Sequence, residues 1–168
     1  MKSLLVLGGA RSGKSRYAQH RIEALPGRLT YIATAQPLDD EMVTRIAHHR
    51  ADRGDRWETL ETPLALAEAI GKAAETSGAI LVDCLTLWLS NCLFAEYDLA
   101  AATQSLENAV ASCPVPLALV SNEVGMGIVP DNALARRFRD EAGRLNQRLA
   151  AVVDEAVFVA AGLPLALK

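Results

Sequence analysis

One stretch near the start constrains this chain more than any other. Leu4-Leu5-Val6-Leu7 is an uninterrupted apolar run, and Gly8-Gly9-Ala10-Arg11-Ser12-Gly13-Lys14-Ser15 follows directly. Ala18, Ile22 and Leu25 then recur at helical spacing until Pro26-Gly27. A continuous apolar run fits a parallel strand buried on both faces; the i, i+4, i+7 recurrence gives a helix with one apolar face. The turn between them satisfies GxxxxGK[ST], and its chemistry needs this setting. Glycines let backbone N–H groups converge on phosphate oxygens, and the helix that follows presents its positive end to them. Lys14 reaches the β- and γ-phosphates and the Ser15 hydroxyl suits Mg2+. The expected ligand is a magnesium nucleoside triphosphate, GTP or ATP. A bare glycine turn carrying a surface lysine needs neither flank.

The remaining chain alternates in the same way. Leu29–Ala33, Ala79–Val82 and Leu117–Ser121 read as strands, with Trp57–Leu60 ambiguous. Helices are expected over Asp39–Arg53, from Pro63 to about Ala74, over Leu85–Ala95 and over Leu99–Ala111. A long helix capped by Asp131 carries the stripe Leu134, Phe138, Ala142, Leu145, Leu149 and Val152. Val157–Val159 and Leu165–Leu167 form a terminal pair of strands around Gly162-Leu163-Pro164. Strand–helix alternation implies an α/β fold with a mostly parallel sheet, helices on both faces and a C-terminal β-hairpin. With 168 residues and no repeat or linker, a single domain over 1–168 is expected.

Composition narrows the function classes. A net charge of −3 argues against a nucleic-acid clamp, despite the arginines between Arg136 and Arg148. The most apolar stretch, Ala156–Leu167, is too short and too broken to span a bilayer, and the apolar run before Gly8 is too short for a signal peptide. Cys84, Cys92 and Cys113 are widely spaced and read as buried thiols. A cytoplasmic location follows as the expectation.

Three further positions carry chemistry. Asp83 ends an apolar strand, where a carboxylate either orients the metal of a bound nucleotide or caps the next helix. His48 and His49 close the Asp39–Arg53 segment; helical projection puts His48 opposite the apolar stripe Met42, Val43, Ile46 and Ala47, in a row with Glu41, Arg45 and Asp52. Such a histidine is either solvated surface or a neutral imidazole available to attack phosphorus, with Arg45 and Arg50 to hold charge on the transferring group. His20 reads as surface. Asn122-Glu123, at another strand end, is either part of the site or a plain turn.

The sequence resembles the bifunctional adenosylcobinamide kinase/adenosylcobinamide-phosphate guanylyltransferases of cobalamin biosynthesis. The likeness rests on GGARSGKSRYA (Gly8–Ala18), YIATAQPLDDEMVTRIAHHR (Tyr31–Arg50), DCLTLWLSN (Asp83–Asn91) and the block from Ser121 to Ala150. It implies a P-loop NTPase fold and two reactions: phosphorylation of adenosylcobinamide, then transfer of GMP from GTP to that phosphate through a guanylylated histidine at His48. It further implies nucleotide contacts at Thr34, Ala35 and Gln36, at His49, Arg50, Ala51 and Asp52, and at Glu61 and Asp83, together with a homo-oligomer, a trimer in the family. Asp83 is thus claimed by both metal and guanine. The alternatives are a P-loop small-molecule kinase without a covalent stage, tested by His48→Ala, and a regulatory nucleotide-binding module; the absence of an [NT]KxD guanine signature speaks against the latter.

Overall fold

A computed structural model describes residues 2–36 and 54–168. The expected helix over Asp39–Arg53 lies outside the described residues, as do His48, His49, Arg50, Ala51 and Asp52. The described elements run β1 (Ser3–Gly8), α1 (Lys14–Glu23), β2 (Leu29–Ala33), β3 (Trp57–Glu61), α2 (Leu66–Ala74), β4 (Ala79–Asp83), α3 (Leu85–Phe94), α4 (Leu99–Ser112), β5 (Leu117–Asn122), α5 (Ala133–Val152), β6 (Glu155–Ala160) and β7 (Leu163–Ala166). They build a seven-stranded sheet in the order β3-β2-β4-β5-β1-β6-β7, parallel throughout except for β6–β7.

The apolar runs form the centre of the sheet because both of their faces are covered. Leu4, Val6, Leu29, Leu81, Ala118 and Val120 pack beneath Ala18 and Ile22 of α1. Alternate residues of the same strands, such as Leu5, Ile32, Val82 and Leu119, meet α2 to α5 on the opposite face. Trp88 anchors that second layer: its ring is 1% exposed and its Nε1 donates to Leu64 O at 2.8 Å. Truncating it to alanine would cost about 3–5 kcal/mol.

Three boundaries differ from expectation. The helix expected from Pro63 begins at Leu66, because the carbonyls of Pro63 and Leu64 accept from Asn91 and Trp88 of α3. Asn132, not Asp131, caps α5, its Oδ1 accepting from Ala135 N at 2.7 Å. On α5 the stripe is buried only at Ala142, Leu145 and Leu149; Leu134 and Val152 are exposed. Trp57–Glu61 resolves as an edge strand parallel to β2. The hairpin turn is Ala161-Gly162, with φ of 51° and 79°, so Leu163 and Pro164 belong to β7. Positive φ at both central residues is the two-residue turn that suits strand twist, and proline is tolerated on an edge strand. No helix among the described residues is long and apolar enough to cross a membrane.

Candidate active site

Residues 8–15 leave the C-terminal end of β1 and turn directly into α1. Gly13 holds φ at +92°, and a Cβ there would stand 3.2 Å from Gly162 Cα. Gly162 N donates to Ser12 O at 2.8 Å, so the hairpin turn braces the loop from the side. Sequence reasoning assigned that turn no part in the site; only the strand order, with β6 beside β1, brings Gly162 against the loop. Lys14 is only 8% exposed and its Nζ donates to Gly9 O at 3.0 Å, which folds the ammonium over the loop. Ala10 and Arg11 stand at the exposed crest.

Ser12 is informative. It is 8% exposed, and its Oγ is the buried side-chain polar atom among the described residues that has no hydrogen-bond partner. Buried polar groups are nearly always paired. A loop of converging N–H groups with a spare hydroxyl within it has the donor chemistry of an anion cradle, and the residues present fit a triphosphate.

Strand parity places the acidic candidates. Residues 29, 31 and 33 of β2, 79, 81 and 83 of β4, and 57, 59 and 61 of β3 alternate onto the face covered by α1, and Glu61, Ala33 and Asp83 share one register row. Both carboxylates therefore project on the side of the sheet where α1 begins. With β2 between them they are two strand spacings apart, roughly 10 Å. Asp83 lines a cavity of about 620 Å3 together with Ser15, Arg16, Tyr17, Gln19, Tyr31 and Gly162, and exposed His20 stands on its rim. Ser15 and Asp83 are hard oxygen donors that line a single space, the kind of set that holds Mg2+ alongside phosphates. No cluster of three or more metal-ligating side chains occurs among the described residues.

The other expected contacts divide. Ala35 and Gln36 continue half-buried from the end of β2. Thr34 is 0% exposed and its hydroxyl is committed to backbone, donating to Cys84 O at 2.7 Å and accepting from Cys84 N at 2.9 Å. It joins the ends of β2 and β4. Asn122 N donates to Thr86 Oγ1 at 2.7 Å, Ser121 Oγ donates to Asn146 Oδ1 at 2.7 Å, and Glu123 N donates to Gly8 O at 3.0 Å. The Asn122-Glu123 corner is thereby tied to the strand that launches the phosphate loop.

The three cysteines are free and buried. Burial, then the neighbouring Asp83 charge, pushes the Cys84 thiol up to about 11, and burial alone does the same to Cys92. Neither is a thiolate nucleophile at neutral pH.

Comparison with known proteins agrees with this geometry. Residues 4–167 match the family model described as cobinamide kinase / cobinamide phosphate guanyltransferase. The chain is 49% identical over 167 residues to the bifunctional adenosylcobalamin biosynthesis protein CobP of Pseudomonas aeruginosa, covering 98% of this chain and 96% of that one. It is 45% identical to the bifunctional adenosylcobalamin biosynthesis protein CobU of Salmonella typhimurium and 44% identical to that of Escherichia coli, covering 98% of this chain and 99% of each. A phosphate loop, a strand-end carboxylate and a match from end to end coincide: the chain belongs to the cobinamide kinase / cobinamide phosphate guanyltransferase family.

Proposed function

We propose that this chain performs both reactions of its family, phosphorylating adenosylcobinamide from a nucleoside triphosphate and then transferring GMP from GTP to adenosylcobinamide phosphate by way of a covalent GMP–His48 adduct. The observation that carries the reading is the phosphate loop opening onto the cavity shared by Ser15 and Asp83, with the match to the family behind it.

In the guanylyl half-reaction, main-chain N–H groups of residues 9–15 and Lys14 grip the triphosphate. A His48 nitrogen forms a bond to the α-phosphorus as the bond from that phosphorus to the bridging oxygen breaks, and pyrophosphate departs. Lys14 holds the charge that develops on the leaving group. An oxygen of the cobinamide phosphate then bonds to phosphorus, the P–N bond breaks, and the imidazole is regenerated as adenosylcobinamide-GDP forms. Ser15 Oγ and Asp83 are the side chains that would hold Mg2+, whose chemistry is to neutralise phosphate charge. Assigning Asp83 to the metal leaves Glu61 and the segment after Thr34 (Ala35, Gln36, with His49, Arg50, Ala51 and Asp52) to contact the nucleoside. In the kinase half-reaction the acceptor hydroxyl meets the γ-phosphorus, with ATP or GTP as donor.

The chain acts as one catalytic unit, in the cytoplasm, within a homo-oligomer; a trimer is what the family resemblance implies. Supporting assembly, Met126, Ile128 and Val129 in the loop after β5, and Leu163, Leu165 and Leu167 at the sheet edge, are all exposed. Apolar loops and bare edge strands of this kind are ordinarily covered by a partner.

The test is incubation with GTP labelled at the α- or the γ-phosphate. Acid-labile, alkali-stable α-label retained by the wild type and lost in His48→Ala supports the covalent route. Formation of adenosylcobinamide-GDP by His48→Ala at the wild-type rate, or no α-label taken up by the wild type, would overturn the covalent route.

A further inference from the structure

We propose that Asn122 is a catalytic residue of the kinase half-reaction, its side-chain amide donating to an oxygen of the γ-phosphoryl group as that group is transferred. Asn122 ends β5, which lies between β1, the strand that launches the phosphate loop, and β4, the strand that ends on Asp83. The register pairs Asn122 with Gly8, and Val120 with Asp83. Ala118 and Val120 of β5 pack on α1 together with Leu4 and Val6 of β1, so strand parity puts Asn122 and Gly8 on that same face. A Cβ on Gly8 would stand 2.5 Å from Ser12 Oγ, so this row of the sheet lies directly under the phosphate loop. Asn122 is one strand spacing, roughly 5 Å, from Gly8. It is also one strand from Asp83, two residues further towards the strand ends. Lys14 reaches the β- and γ-phosphates, and in such sites a loop hydroxyl and a strand-end carboxylate flank the metal ion that bridges the same two phosphates. The terminal phosphate accordingly lies between the loop and the end of β4, over the end of β5.

The backbone around the amide is fixed while the amide itself is left open. Asn122 N donates to Thr86 Oγ1 of α3 at 2.7 Å, and Asn122 O accepts from Asn146 Nδ2 of α5 at 3.4 Å. Glu123 N donates to Gly8 O at 3.0 Å. This corner is thus tied to two helices and to the root of the loop, yet the half-buried Asn122 side chain makes no hydrogen bond among the described residues. A turn asparagine ordinarily uses its side-chain oxygen on a nearby backbone N–H; in this corner Glu123 Oε1 takes that role, accepting from Gly125 N. A fixed, neutral donor facing the γ-phosphate needs no reorganisation as charge shifts during transfer. In that step the acceptor oxygen bonds to the γ-phosphorus as the bond from phosphorus to the β–γ bridging oxygen breaks. The electron pair leaves with the nucleoside diphosphate, and the hydroxyl proton is lost to water.

The inference rests on the kinase reading, and the experiment separates the two. Wild type, Asn122→Ala and Asn122→Asp are compared for binding and for turnover. Calorimetry with magnesium gives the Kd of α,β-methylene GTP and of α,β-methylene GDP, which differ only in the γ-phosphate and resist attack at the α-phosphorus. Phosphorylation of adenosylcobinamide by saturating ATP or GTP gives kcat. The wild type should bind the triphosphate more tightly. Asn122→Ala should lose about tenfold of that preference and about tenfold or more in kcat. Asn122→Asp keeps the shape but sets a charge beside the γ-phosphate, so it should lose more of both. The diphosphate Kd of either variant should stay within about threefold of wild type. If Asn122→Ala does not fold, Asn122→Asp is read in its place. A folded variant that keeps the wild-type triphosphate preference or the wild-type kcat, or that weakens both analogues equally, overturns the proposal. A wild type that forms no adenosylcobinamide phosphate overturns the kinase reading, and the catalytic role of Asn122 with it.

Discussion

Replacing Gly13 with alanine should destabilise the protein measurably even with no nucleotide present. The residue holds φ at +92°, and its missing Cβ would lie 3.2 Å from Gly162 Cα, a backbone atom in the turn that donates to Ser12 O. A left-handed conformation costs an L-residue about 1–2 kcal/mol. Crowding against main chain adds about 1 kcal/mol, the low end of overpacking penalties. The more restricted unfolded chain returns about 0.4–1 kcal/mol. The net is a loss of about 2 kcal/mol, or roughly 4–8 °C in Tm for a chain of this size. Gly9→Ala is the internal control, since a Cβ there meets nothing within 4 Å. Thermal melts of the ligand-free proteins, followed by far-ultraviolet circular dichroism, check both. A Gly13→Ala protein melting within 1 °C of wild type, or a Gly9→Ala protein losing as much, would refute the claim that the hairpin turn and the loop conformation are coupled.

Other outcomes follow from the same packing. Gly143 lies inside α5 with open space where a Cβ would go, so Gly143→Ala should gain about 0.5–1 kcal/mol in chemical denaturation. Asp154 accepts from the backbone N and hydroxyl of Ser3, which holds its carboxyl below the ordinary value. Its contribution is present above the unfolded pKa of about 3.9 and lost as pH falls through the folded value. Asp154→Asn should therefore melt below wild type at pH 7, and the difference should shrink as the pH falls below about 4. Burial keeps Cys84 and Cys92 as thiols, so native protein at pH 8 should resist iodoacetamide and react fully once denatured.

Much of this architecture was legible because it rests on short-range pattern. β1 and α1 follow from a four-residue apolar run, a glycine turn and an amphipathic face, and each is where that pattern puts it. Trp57–Leu60 is ambiguous in sequence because an edge strand buries little, and the alternation of β3 is weak. Pro63 mispredicted a helix start because tertiary partners claimed the carbonyls of residues 63 and 64, overriding a local preference. The polar ties under the site were harder to see. Asn146 carried a signal, standing on the buried stripe between Ala142 and Leu149 where an apolar residue is expected. Thr34 and Asn91 carried none, since pairing a hydroxyl or an amide with distant backbone needs the register of the strands. Residues 8–15 stand between β1 and α1 as their spacing implies, whereas the lining of one cavity by both Ser15 and Asp83 is a product of topology.

The central claim is that a nitrogen of His48 becomes bonded to the α-phosphorus of GTP. Trypsin, cutting after Arg45 and Arg50, releases Ile46–Arg50, which contains both histidines of the pair. Tandem mass spectrometry of that peptide, after alkaline handling of enzyme incubated with magnesium and GTP, reads the site directly. The account predicts a GMP adduct on fragments containing His48 and absent from those containing His49 alone. An unmodified peptide from an enzyme that is turning over, or an adduct on His49, would contradict it.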